Sequence, residues 1–209
     1  MSRFRALKST IRPWLRKADW TWEHPLPPQA TDVLSREADT KTSDPNSNLN
    51  LLSLVNPLFS CLPEGGRVTE RAAYALGNVI NQLYTQKPEE ARNIIRRFIW
   101  QMNVESGNIG WGIPEAFGST LAQNHDLARE YHKGLFHYIY DKKNDSSYCD
   151  YAPLRRSCYM AIGDVIRAWP EYSALAASLL QQSLENDTDM ACRQLAEKLL
   201  DELNWPTKS

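Results

Sequence analysis

Residues Arg71–Leu83 read RAAYALGNVINQL, and this stretch decides the fold. Ala72, Ala73, Leu76, Val79, Ile80 and Leu83 share one face of a 3.6-residue period, the stripe of an amphipathic helix. At its centre lies the cluster Ala75-Leu76-Gly77, which returns as Ala116-Phe117-Gly118 and Ala161-Ile162-Gly163. A fourth, degenerate copy is Leu195-Ala196-Glu197. The glycines lie 41 and 45 residues apart, and Glu197 lies 34 beyond the last. Small residues recurring at one helical position have a packing reason. One helix per unit is buried against both its partner and the next unit, and short side chains permit close approach.

Between successive copies runs one further amphipathic helix. Leu51 to about Cys61 is apolar and is ended by the Leu62–Gly66 turn. Pro88 opens a helix whose face is Ala91, Ile94, Ile95, Phe98, Ile99 and Met102. Later stripes are Leu127, Tyr131, Leu135, Tyr138, Ile139, then Cys158, Ile162, Val165, Ile166, Trp169. Leu175, Ala176, Leu179 and Leu180 follow, and Cys192, Leu195, Ala196, Leu199 and Leu203 close the series. No two-residue alternation marks a strand. A two-helix unit recurring every ~40 residues is the period of HEAT and armadillo arrays. The expectation is an all-α protein: a short right-handed α-solenoid of about four helix pairs over residues 51–204, with a tail at 205–209.

The residues also carry a resemblance. RAAYALGNVINQL and the terminal NDTDMACRQLAEKLLDEL resemble second helices of HEAT repeats. In the latter, Asp187 or Thr188 is placed to cap the helix and Asp189 to pair with Arg193 at i+4. VNPLFSCL (Val55–Leu62) followed by RRFIWQMNVESGNIGWGIPEAFG (Arg96–Gly118) is similar to a set of uncharacterised bacterial HEAT-repeat proteins. That set shares an N-P-L-F segment and a core close to R-R-x-x-W-x-x-N-x-E-S-G-x-I-G-W-G-x-P-E-A. Val104 stands where the set has an acidic or polar residue. The match covers about residues 51–204, and what it implies is fold rather than chemistry.

The first 50 residues differ from the rest. Phe4, Leu7, Ile11, Trp14 and Leu15 form a helical stripe over residues 1–17, which Pro13 is expected to break or kink near Arg12. Residues 18–50 lose periodicity, are rich in Pro, Asp, Ser and Thr, and read as an irregular linker, disordered around 36–48. The chain holds 24 Lys+Arg against 25 Asp+Glu, but residues 1–17 carry six cations and no acid, which leaves −7 on the remainder. An acidic body is a poor footprint for nucleic acid, which needs a clustered cationic face. The basic helix suits three roles: capping the first repeat, weak association with an anionic membrane surface or an acidic partner groove, and organellar targeting. Capping is the favoured one. No apolar run is long enough to span a membrane. Cys61, Cys149, Cys158 and Cys192 form no C-x-x-C pair and read as free thiols in a reducing cytoplasm.

ESGNIGWG (residues 105–112) is the most unusual stretch, holding three of the nine glycines. Pro114 suits the first turn of the following helix, so free N–H groups face this loop. One reading is a site for a small anion or peptide carboxylate built from Arg96, Arg97, Trp100, Asn103, Glu105, Ser106, Asn108, Trp111 and Glu115. The favoured reading is a tight turn whose glycines take positive φ. Trp111 then plugs the gap between repeats, and Glu115 balances the helix dipole and pairs with an arginine. His125, His132 and His137 are spaced 7 and 5 apart, too far for paired helical ligands, and read as surface or boundary residues. The tyrosines between 131 and 159 read as packing, with Tyr148 and Tyr151 the most exposed. Arg96, Arg97, Arg155 and Arg156 are expected mostly to pair with acids between repeats. Neither a metal nor a cofactor is implied.

The expected function is therefore a non-enzymatic binding protein, scaffold or assembly factor that holds another protein or peptide on a curved face. The alternative is a HEAT-fold enzyme, of the alkylpurine DNA glycosylase or bilin lyase type. Trp100, Trp111, Glu105 and Asp164 supply the residue types the glycosylase needs, but the acidic body opposes duplex DNA.

Overall fold

The computed structural model describes residues 3–21, 51–103, 109–140 and 148–204. The chain is all-α over these residues, with no strand among them. In chain order the helices are α1 (Arg3–Leu15), α2 (Leu52–Phe59), α3 (Gly66–Gln86), α4 (Pro88–Met102) and α5 (Ile113–Gln123). They continue as α6 (His125–His137), α7 (Ala152–Ala168), α8 (Ser173–Asn186) and α9 (Met190–Glu202). Pro88, Pro114 and Pro153 each stand in the first turn of their helix, where the missing N–H leaves no gap. The Asn124 side chain caps α6, accepting from the Leu127 N–H at 2.9 Å.

Helices α3, α5, α7 and α9 form a row in which each packs against the next. Helix α4 lies against α3 and α5, α6 against α5 and α7, and α8 against α9 and α7. The apolar faces meet in one core that includes Leu76, Phe98, Phe117, Phe136 and Ile162. Each glycine of the recurring cluster lies at a crossing within the row. A Cβ on Gly118 would sit 2.6 Å from the Ala161 Cα, one on Gly77 3.0 Å from the Ser119 Oγ, and one on Gly163 2.9 Å from a Leu199 methyl. Glu197, in the equivalent place on α9, is exposed, and a glycine there would serve no crossing described.

Helix α1 closes the start of the row. Leu7, Ile11, Trp14 and Leu15 are buried against α2 and α3, while Arg12 and Arg16 both pair with Glu64. Arg71 of α3 donates to the last carbonyls of this segment, Leu15 O at 2.7 Å and Lys17 O at 2.6 Å. The break expected at Arg12 is absent, because α1 runs through Pro13 to Leu15. So close to the helix end, the lost N–H bond and the ring clash fall in the last turn, where they disturb little. Of the expected linker only residues 18–21 are described, and the tail at 205–209 lies outside the described residues.

A buried ion pair ties α7 to the α8–α9 junction. Arg155 and Asp187 have side chains only 2% exposed and meet in a fork, Nε to Oδ2 at 2.8 Å and Nη2 to Oδ1 at 2.7 Å. The remaining Arg155 donor reaches the Cys149 and Asp150 carbonyls, and Asp187 also accepts from the Tyr159 hydroxyl and the Asp189 N–H. Neighbouring Asp189 caps α9 through the Cys192 N–H at 2.9 Å. This corrects the expected roles. Asp187 is the clamp and Asp189 the cap, and the arginine paired with Asp189 is Arg156, not Arg193. His132 is also corrected from boundary to buried, its ring stacked on Tyr172 at 4.1 Å between centroids.

Candidate functional site

Two hollows flank Trp111. The chain reaches it by a turn in which the Trp111 N–H bonds Ile109 O and the Ile113 N–H bonds Gly110 O. Gly112 then takes φ +76°, and a Cβ there would lie 2.7 Å from Leu62 O, so glycine is required twice over. Among the loop glycines described only Gly112 has positive φ, whereas the sequence reading expected it of all three. Trp111 meets Tyr151 edge-on at 5.8 Å and stays 40% exposed. It lines both hollows and stands as a ridge between them.

The larger hollow is a groove of about 750 Å³ over the row α3, α5, α7, α9, and none of its walls comes from α4, α6 or α8. Tyr74, Glu115 and Met160 line it, each three residues before a cluster glycine. That shared register is the signal by which Tyr74 and Met160, missed in the sequence reading, could have been found. The groove's charged lining is acidic, with Glu70, Glu115, Asp164 and Glu202 against Arg167 and Lys198. Arg167 bridges Asp164 at 3.0 Å and Glu202 at 3.1 Å. Desolvation in the groove pushes the Asp164 carboxyl up against the pull of Arg167, although half of its side chain stays exposed.

Glu115 sits in the first turn of α5, where a carboxylate complements the helix dipole. The expected arginine partner is not found among the described residues. Ser157 Oγ donates to Oε1 at 2.7 Å, and Oε2 is sealed from solvent with no hydrogen-bond partner among the described residues. An acceptor left so costs about 1–3 kcal/mol.

The smaller hollow, about 470 Å³, lies between α1, α2, α4 and the turn before α5. The Arg97 guanidinium lies 3.9 Å from the Phe59 ring centroid and donates to Asn56 Oδ1 at 2.6 Å. No carboxylate faces it among the described residues, and desolvation alone draws its pKa down. Trp100, 65% exposed, Ile109, Gln101 and Trp111 complete the walls.

The structure thus brings Arg97, Trp100 and Trp111 together, and sets Trp111 and Glu115 in the adjoining groove. Arg96 turns away to Glu89 at 2.6 Å, and Asn103 is exposed and lines neither hollow. Glu105, Ser106 and Asn108 lie outside the described residues. Trp100 and Asp164, grouped in the glycosylase alternative, fall in different hollows. Of the four arginines expected to pair, Arg96, Arg155 and Arg156 do, the last two across units, and Arg97 does not. Tyr151 is exposed as expected, but Tyr148 is half-buried with the Arg155 guanidinium 4.9 Å from its ring. His125 bonds Glu171 at 2.6 Å, and no group of three or more His, Cys, Asp or Glu is placed to hold a metal among the described residues.

Compared with known proteins, the chain matches no family model, no curated protein and no solved structure. No helix among the described residues is long and apolar enough to cross a membrane.

Proposed function

We propose that the chain is a HEAT-like solenoid of about four helix pairs that acts as a non-enzymatic binding or assembly factor, holding an apolar, cation-flanked segment of another protein in the α3–α9 groove. One observation carries this reading. Tyr74, Trp111 and Met160 stand exposed along a concave surface rimmed by four carboxylates and two cations. Exposed aromatic and thioether side chains in a recess are the material of binding hot spots. An acidic rim adds attraction for lysine and arginine and repels phosphate. The same rim weighs against duplex DNA. Weak membrane association through residues 1–17 has less support, because the apolar face of α1 already packs on α2 and α3.

Selection of peptides displayed on phage against the intact chain tests the reading. The expected binders pair apolar or aromatic residues with Lys or Arg, and lose binding to Met160→Glu and Tyr74→Asp variants that still melt cooperatively. Acidic consensus peptides, or binders indifferent to both substitutions, would refute it.

A further inference from the structure

We infer that the smaller hollow is a carboxylate-binding pocket, in which Arg97 grips a singly charged acid whose apolar or aromatic body lies between Trp100 and Trp111. Arg97 is half-buried and charged at any working pH, yet among the described residues its one polar partner is the Asn56 amide oxygen at 2.6 Å. The Phe59 ring covers one face of the guanidinium and holds the fork in place. Only one Nη1 donor is engaged, so the Nε–Nη2 edge is left for a planar acceptor, and a carboxylate matches that edge with two parallel bonds.

Among the described residues, Arg97 is the only charged one lining this hollow. One positive charge balances one carboxylate, whereas a phosphate of nearly two charges would need a second cation. Most of the remaining lining is aromatic and apolar, with Phe4, Phe59, Trp100, Ile109, Trp111 and Ile113, beside the neutral polar Asn56, Ser60 and Gln101. Trp100 in particular exposes a large apolar surface with no packing role to account for it. A bound aromatic acid would cover it and at once neutralise the desolvated guanidinium. This assignment stands apart from the groove reading, because it needs neither Tyr74 nor Met160.

Isothermal titration of the intact chain with three probes tests it. The probes are phenylacetate, an apolar peptide ending in phenylalanine with a free carboxylate, and the same peptide amidated. At least one carboxylate is expected to bind at one site, with its neutral amide about tenfold weaker or more. Arg97→Gln should erase that preference, Arg97→Lys should keep part of it through charge without the fork, and Arg96→Gln should leave it intact. Binding of phenylacetate identifies a free small acid as sufficient, and binding of the peptide alone identifies a chain terminus. Both support a carboxylate site. Equal affinity for acid and amide, an unchanged preference in Arg97→Gln, tighter binding of inorganic phosphate, or no binding of either acid would overturn it. The comparison of acid with amide on the unaltered chain holds even if the Arg97 variants fold poorly.

Discussion

Arg155 and Arg97 both lean on an aromatic ring, Tyr148 in one case and Phe59 in the other, yet their surroundings differ in kind. Arg155 has a carboxylate fork and two carbonyls, and its partner Asp187 has two further donors of its own. Every polar group there is answered, so the site joins helices and offers nothing to a ligand. Among the described residues Arg97 has one amide oxygen and no carboxylate, beside exposed tryptophan. Near Trp111 the molecule leaves polar groups unanswered, as it also does at Glu115 Oε2. Full satisfaction marks a joint, and incomplete satisfaction beside a hollow marks a place for something else.

The contrast is most exposed to test at the joint. Asp187→Ala leaves Arg155 buried without its counter-charge and should cost about 3–5 kcal/mol in urea unfolding. A loss under about 1 kcal/mol would mean that the pair is dispensable. Next come the crossings that bring joint and hollow into one row. Gly118→Ala drives a methyl into the Ala161 backbone and should cost about 1–3 kcal/mol, measured the same way. At Gly163 the obstructing atoms belong to the Leu199 and Arg167 side chains, which can move. Gly163→Ala should therefore be close to neutral, helped by alanine's better helix propensity of about 1 kcal/mol.

The joint should also respond to pH. Burial pushes the Asp187 carboxyl up, but hydrogen bonds from Arg155, the Asp189 N–H and Tyr159 outweigh it and hold the pKa below the ordinary value. A depressed folded pKa makes the contribution full above the unfolded value of about 3.9 and lost as pH falls through the lower folded one. The melting temperature of the unaltered chain should therefore drop on acidification below about pH 4, and drop less in Asp187→Asn. Equal slopes would remove Asp187 from the acid response. Little change is expected at the other arginine. Arg97→Met should shift unfolding by less than about 1 kcal/mol, since the stacking lost and the desolvation relieved oppose each other. A loss as large as that of Asp187→Ala would make Arg97 structural and collapse the contrast.

Much of this was legible in the chain. The helices follow from 3.6-residue stripes, two of their starts from Pro88 and Pro114, and the row crossings from the spacing of Gly77, Gly118 and Gly163. The covering role favoured for residues 1–17 follows from an apolar stripe that needs a surface to cover. Side-chain partners were less legible. Asp189 sits at i−4 to Arg193 and would pair locally by spacing alone, but Arg156 on another helix approaches with better geometry. Glycine and tryptophan in residues 105–112 marked an unusual turn without revealing that Trp111 faces outward.

Periodicity, capping and small-residue spacing are local properties, which backbone geometry turns directly into helices and close crossings. Which charges are answered is not local. It depends on which helices the row brings within about 3 Å of each other, since a hydrogen bond fails beyond that reach. Only the folded chain decided that Arg155 would be enclosed, that Tyr74, Glu115 and Met160 would share one groove, and that Arg97 would stand beside Trp100 with no carboxylate from the described residues.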